Sequence, residues 1–402
     1  MPKNIVVCCD GTGNDFDHPE TDSNVVKLYN TLDIGDEQIA YYHPGVGTMG
    51  APNVNGRFAK WWSKVEGLAI GKGLLDNVGD AYRYLINTYR TDDRIYLFGF
   101  SRGAYTARAI ASLIHVFGLL EPGNEQLIPY ILQMYAQKTQ EAQDQETTLP
   151  AEDAFKYAFS RAVEVHFCGV WDTVSSYGWM SSPINLRFNG QDPIIRTGRH
   201  AVSIHEHRCF YQDNLWGPSL SGTDEFPAQD IRQVWFAGVH SDIGGSYLES
   251  EAGLSKITFE WMLVEAAKAG LLVDRTRAQI VLGEMKPPPA LPHYVEPDPK
   301  GILHVSLRSW WWILECIPRI RNRRLSVPLG RWWRRIPEGS LIHATVPMTG
   351  RDVQYPKHFT LEPWVRFAPQ AEAAQDAAPL RAVVQKMAAT AEPTAIHRMF
   401  RR

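Results

Sequence analysis

The stretch Arg94–Ile114, RIYLFGFSRGAYTARAIASLI, joins two patterns at one turn. Arg94–Gly99 is a short apolar run of the kind a buried parallel strand takes. Beyond the turn, Ala104, Ala107, Arg108, Ala111 and Ile114 recur at helical spacing with no Gly or Pro among them. Between the two lies Gly99-Phe100-Ser101-Arg102-Gly103, a G-x-S-x-G motif with the strand before it and the helix after it that the motif requires. A serine on such a turn sits on strained backbone, and the flanking glycines let the chain pack where a Cβ would clash. The turn would expose the Ser101 hydroxyl at the carboxyl edge of a sheet. The N-terminus of the next helix would offer the Arg102 N–H to a developing oxyanion.

The rest of the chain repeats that strand-to-helix alternation. Asn4–Cys9, Gln38–Tyr42, Val165–Trp171 and Val234–Val239 are further short runs rich in Val, Ile, Phe or Tyr. Leu74, Val78, Ala81, Tyr82, Leu85 and Ile86 mark one helical face, and Phe259, Met262, Leu263 and Ala266 another. The expected class is therefore α/β, of the α/β-hydrolase type: a mostly parallel sheet with helices on both faces and long loop or lid insertions. One hydrolase domain is expected over residues 1–368, with excursions at about 121–160, 176–232 and 275–340, followed by an Ala-rich tail at 369–402. The second excursion is rich in Gly, Pro and Asn and reads as loops; the third carries the Trp/Arg-rich run SWWWILECIPRIRNRRLSVPLGRWWRRIPEG.

Composition narrows the function classes. The 402 residues are 44% hydrophobic and 21% charged, with a formal net charge of -3, so the molecule as a whole is not built to bind a polyanion such as nucleic acid. Five cysteines without framework spacing argue against a disulfide scaffold, and adjacent Cys8 and Cys9 cannot make a zinc site alone. No metal or cofactor is expected. The start, MPKNIVVCCDG, reads as a strand rather than a signal peptide, and no apolar stretch reaches the ~20 residues of a membrane span. The default expectation is a cytoplasmic location, with signal-independent export leaving no trace in composition.

A nucleophilic serine needs a base, and the base needs an orienting carboxylate. Asp172 follows the run VEVHFCGVW, and His240 and Asp242 follow VWFAGV, so all three are expected at the sheet edge that carries Ser101, on neighbouring strands. Chain order Ser–Asp–His suits this fold. His343 in SLIHATV and His358 in YPKHFTL compete for the base, and Asp242 competes for the acid. The first turn, Cys9-Asp10-Gly11-Thr12-Gly13-Asn14, is expected to supply the second oxyanion N–H from Gly11 or Thr12. Asp10 there also evokes the D-x-D-G-T start of haloacid-dehalogenase phosphatases, but Cys8 stands where their nucleophilic aspartate would be. Gly45–Gly50 matches G-x-G-x-x-G without opening a helix, and His205-Glu206-His207 lacks metalloprotease spacing. The first reads as a loop lining the site, the second as a polar loop.

Taken together, CCDGTGN, PGVGT, RIYLFGFSRGAYTAR, FCGVWDTV, VWFAGVHSDIGGSY and SLIHATV resemble the family of type VI lipase effectors, class 1, in order from residue 4 to about 350. The resemblance implies an α/β-hydrolase with Ser–Asp–His esterase or phospholipase activity. Matching the motifs one at a time puts its nucleophile on Ser101, its acid on Asp172 and its base on His240. The expected function is cleavage of carboxylic esters, of lipids first. A soluble esterase, thioesterase or amidase with the same triad, or a catalytically silent interaction module, are the competing readings. Trp310, Trp311, Trp312, Trp332 and Trp333, interleaved with Arg319, Arg321, Arg323, Arg324, Arg331, Arg334 and Arg335, form either a surface for anionic lipid or a core helix with a basic flank.

Overall fold

The computed structural model describes residues 2–11, 19–45, 67–141, 150–174, 190, 192–223, 226–289, 291–308, 311–316, 319–321 and 324–367. Thr12, most of the Gly45–Gly50 loop, Trp310, Arg323 and the tail at 369–402 lie outside them. The main sheet is built from β1 (Asn4–Cys9), β2 (Gln38–His43), β3 (Arg94–Phe100), β4 (Val165–Trp171), β5 (Ile195–Ser203), β6 (Asp230–Phe236), β7 (Ser340–His343) and β8 (Phe359–Glu362). Their spatial order is β8-β7-β6-β5-β4-β3-β1-β2, and every neighbouring pair is parallel. The expected α/β class is the observed one.

Alternation along β1 shows why the sheet is covered on both sides. Ile5, Val7 and Cys9 face one core, shared with α2 (Gly67–Thr88) and α3 (Arg102–Phe117). Val6 and Cys8 face the other, shared with α1 (Asn24–Thr31) and α5 (Gly253–Lys268). A strand buried on both faces favours apolar residues on both, and after Asn4 the run IVVCC shows no polar alternation. Helix α3 is buried from Gly103 to Phe117 rather than on one stripe, because the helix Pro150–Phe159 packs on its outer side. Its buried Arg108 guanidinium donates from Nη1 to the Asn214 carbonyl at 2.5 Å and lies over the Trp216 ring.

Two parts of the sheet differ from expectation. Residues Ile195–Ser203 fall in the segment read as loops, yet β5 is a central strand paired on both sides. Its polar residues hid it: Arg199 is buried against Glu265 (2.7 Å) and Asp230 (2.6 Å), and His200 accepts the Thr173 N–H. With its charge neutralised inside the fold, IRTGRHAVS is a core strand. Strands β7 and β8 have four residues each, too short to stand out as apolar runs. In the first excursion the helix Ile128–Glu141 buries Ile128, Ile131 and Tyr135 in the same core as α2. Among the described residues, no helix is long and apolar enough to cross a membrane.

Candidate active site

Ser101 lies at the junction of β3 and α3 with φ 59° and ψ -120°, a conformation that costs a non-glycine residue about 1–3 kcal/mol. The surroundings enforce it. The Ser101 N–H donates to the Trp171 carbonyl at 3.1 Å, tying the turn to the end of β4. A Cβ on Gly103 would stand 2.1 Å from the Cys9 carbonyl oxygen, and one on Gly99 would stand 2.3 Å from the Gly103 oxygen. Both glycines of the motif are therefore packing requirements of a helix pressed against the ends of β1 and β3.

Asp172 follows β4 directly, with φ 41°. His240 is the first residue of the short helix α4 (His240–Gly244), which follows β6 after the chain leaves the sheet through Gly238 at φ 135°. Asp172 and His240 were expected on neighbouring strands; β5 stands between theirs. The side chains nonetheless meet. His240 Nε2 lies 2.8 Å from Ser101 Oγ, and His240 Nδ1 lies 2.6 Å from Asp172 Oδ2. The imidazole is held between Phe100 and Tyr211, each ring centroid 4.7 Å away.

The electrostatics are lopsided. Burial would push the Asp172 carboxyl up, but the Arg334 guanidinium and His240 outweigh it and hold the group well below the usual carboxylate range. Burial lowers the His240 pKa, and the hydrogen bond and charge of Asp172 only partly oppose it. An ionised Asp172 accepts from Nδ1–H, so the neutral ring turns the Nε2 lone pair toward the Ser101 hydroxyl. This is the geometry by which a base takes a proton from serine.

Two supports of the site lie outside its motifs and carry no local signal in the sequence. Glu206, treated as part of a polar loop, is a buried hub: it accepts from Arg208 Nε (2.9 Å) and Nη2 (2.8 Å), Ser306 Oγ (3.0 Å) and the His240 backbone N–H (3.2 Å). Burial would raise its pKa, yet the Arg208 hydrogen bonds and charge push it down to about 2. Arg208 in turn lies under the Tyr211 and Trp311 rings. The second support is Arg334. As part of either a lipid-facing surface or the basic flank of a core helix it would be expected in solvent, but its side chain is 3% exposed and pairs with Asp172. Arg331, Arg335, Trp312 and Trp333 do reach solvent, whereas Trp332 is buried.

In the loop after β1, the Gly11 N–H donates to its neighbour's carboxylate, Asp10 Oδ1, at 2.6 Å. Asp10 is a brace: its Oδ2 accepts from Ser23 Oγ and Tyr42 OH, both at 2.8 Å. Arg102 opens α3, whose first backbone N–H groups point out of the helix toward its N-cap, Ser101. Thr12 lies outside the described residues.

The rival residues are placed elsewhere. Asp242 caps the Val239 N–H at 3.0 Å and pairs with His304 at 2.6 Å. His343 is fully buried on β7, hydrogen-bonded to Thr345 Oγ1 at 2.8 Å and stacked on Phe236; burial pushes it down to about 3. His358 lies on an exposed turn before β8, its N–H donated to Glu338. Among the described residues, no group of three or more His, Cys, Asp or Glu is arranged to hold a metal ion.

Residues 3–265 match the family model described as T6SS, Phospholipase effector Tle1-like, catalytic domain. A curated relative, the uncharacterised protein YEL023C of Saccharomyces cerevisiae, is 39% identical over 230 residues, which cover 54% of this chain and 33% of that protein. The chain thus aligns with about a third of that relative's length. Among solved structures, an uncharacterised protein from Pseudomonas aeruginosa aligns over 68% of this chain and 46% of its own, at 19% identity and a TM-score of 0.37. The Tle1 effector bound to the VgrG spike from the Type 6 secretion system aligns over 63% and 53%, at 18% identity and a TM-score of 0.36.

Proposed function

This chain belongs to the family of Tle1-like phospholipase effector catalytic domains of the type VI secretion system, and from that membership and the site geometry we infer that it cleaves a carboxylic ester of a lipid by acyl transfer through Ser101. The observation that carries the reading is the unbroken chain Ser101 Oγ to His240 Nε2 at 2.8 Å and His240 Nδ1 to Asp172 at 2.6 Å. In this reading His240 takes the Ser101 proton as Oγ attacks the ester carbonyl. Asp172 stabilises the imidazolium, and the Arg102 N–H receives charge on the carbonyl oxygen. The imidazolium then protonates the leaving alkoxide. Water, deprotonated by the same imidazole, cleaves the acyl-enzyme and regenerates Ser101.

A lipid substrate also suits the rim of the site. Trp312 is 47% exposed, Leu329 45% and Trp333 58%, with Arg331 and Arg335 exposed beside them. Trp333 stacks on His207, next to the hub residue Glu206. Aromatic side chains with nearby arginines favour an anionic lipid–water interface. The test of function is turnover: the wild type should release fatty acid from phospholipid vesicles and hydrolyse a short-chain ester. Ser101→Ala should lose both by on the order of 10⁴-fold or more. Hydrolysis surviving in pure Ser101→Ala would overturn the reading.

A further inference from the structure

We propose that Arg334 is a positioning residue of the triad, carried from a distant segment to lock the Asp172 carboxylate in the orientation that serves His240. The inference rests on the triad reading above and goes beyond it, because no feature of the catalytic motifs involves residue 334.

The contacts form a clamp. Arg334 Nη1 donates to Asp172 Oδ1 at 2.5 Å, and Nη2 donates to Asp172 Oδ2 at 3.1 Å. A planar guanidinium meeting both oxygens fixes the carboxylate plane as well as its position. The same two nitrogens donate to the Ser203 carbonyl (3.2 Å) and the Tyr211 carbonyl (2.7 Å). One side chain therefore joins the residue after β4, the last residue of β5 and the residue whose ring lies against His240. Oδ1 also accepts the Ser203 N–H at 2.9 Å, leaving Oδ2 turned to His240.

The charge matters as much as the geometry. Asp172 and Arg334 are both buried, so each would be costly without the other. The charged groups around the pair are Glu206 and Asp213, both felt by Arg334, and Arg208, felt by His240. His200 next to Asp172 is kept neutral by burial, pushed down to about 3. A fixed cation on the far side of Asp172 weakens the field that would hold a proton on His240. Removing it should make His240 easier to protonate and move the acid limb of activity to higher pH.

The experiment compares wild type, Ser101→Ala, Arg334→Gln and Arg334→Lys on a soluble short-chain ester from about pH 5 to 9, with circular dichroism and melting as fold controls. Arg334→Gln should lower kcat by about 10²-fold with KM nearly unchanged, and its acid limb should rise by about one pH unit. Arg334→Lys keeps the charge but not the fork. Its acid limb should stay near the wild-type position while kcat remains at least about tenfold down. A folded Arg334→Gln with wild-type kcat and acid limb would overturn the proposal, as would a loss of rate with the acid limb unmoved. Should Arg334→Gln not fold, a wild-type kcat in Arg334→Lys would overturn it alone. Hydrolysis that survives in Ser101→Ala would instead bring down the triad reading, and this inference with it.

Discussion

His240 and His343 stand one strand apart and differ in the polar groups their rings meet. Strands β6 and β7 are hydrogen-bonded neighbours; His240 follows the first and His343 ends the second. Both rings are buried and both pack on a phenylalanine, Phe100 at 4.7 Å and Phe236 at 4.6 Å. The polar partners separate them. His240 bridges a hydroxyl and a carboxylate, whereas His343 Nδ1 meets the Thr345 hydroxyl, with no carboxylate hydrogen-bonded to the ring among the described residues. Burial acts unopposed on His343 and pushes it down to about 3; at His240 the same effect is countered by Asp172. A histidine at a strand end is thus common to both regions, and in the proposed mechanism the partner on Nδ1 is what sets the base His240 apart from the core residue His343.

The largest expected effect falls on the His240 side. His240→Ala should lose at least about 10⁴-fold in kcat on a soluble ester, and Asp172→Asn a comparable factor because the amide cannot hold the Nδ1–H tautomer. Steady-state rates on purified, folded variants check this. If His240→Ala keeps activity while His343→Gln loses it, the comparison is reversed and the base is misassigned.

A smaller effect is expected at the rim, beyond both histidines. Trp312→Ala with Trp333→Ala should reduce turnover on anionic vesicles by roughly tenfold and leave the soluble ester unaffected, since both side chains are exposed. Vesicle binding should also weaken with salt as the exposed arginines are screened. Equal losses on both substrates would remove the rim from the lipid interface.

The smallest effect concerns His343, and it appears in stability rather than rate. Between its ordinary value of 6.5 and its folded value of about 3, the unfolded chain binds a proton at residue 343 that the folded chain does not. Stability therefore falls as pH drops through that window, by up to about 1.4 kcal/mol per pH unit. His343→Gln should leave kcat within about twofold and make the unfolding free energy fall less steeply between roughly pH 6.5 and 4. Urea titrations at several pH values read the slope; an unchanged slope would mean that His343 is not held neutral by the fold.

The part of the site that could be read from sequence is the part written locally. Ser101 sits inside its own motif, and Asp172 and His240 each follow an apolar run that ends at the same sheet edge. What escaped depends on partners far along the chain. Arg334 lies 162 positions from Asp172, in a run whose composition resembles a basic surface. Glu206 is 100 positions from Ser306, and β5 reads as a loop because Arg199 finds Glu265 and Asp230 only in the folded state. At Gly11 the local competitor was not legible either: the loop lies beside Ser101, and the side chain of Asp10 accepts the Gly11 N–H.

The central claim is that Ser101 is the nucleophile that His240 activates. It is tested most directly by treating the wild type with a fluorophosphonate and mapping the adduct by mass spectrometry. The account predicts one adduct, on the peptide containing Ser101, absent in Ser101→Ala and strongly slowed in His240→Ala but not in His343→Gln. An adduct on another residue, or labelling of Ser101→Ala at the wild-type rate, would contradict it.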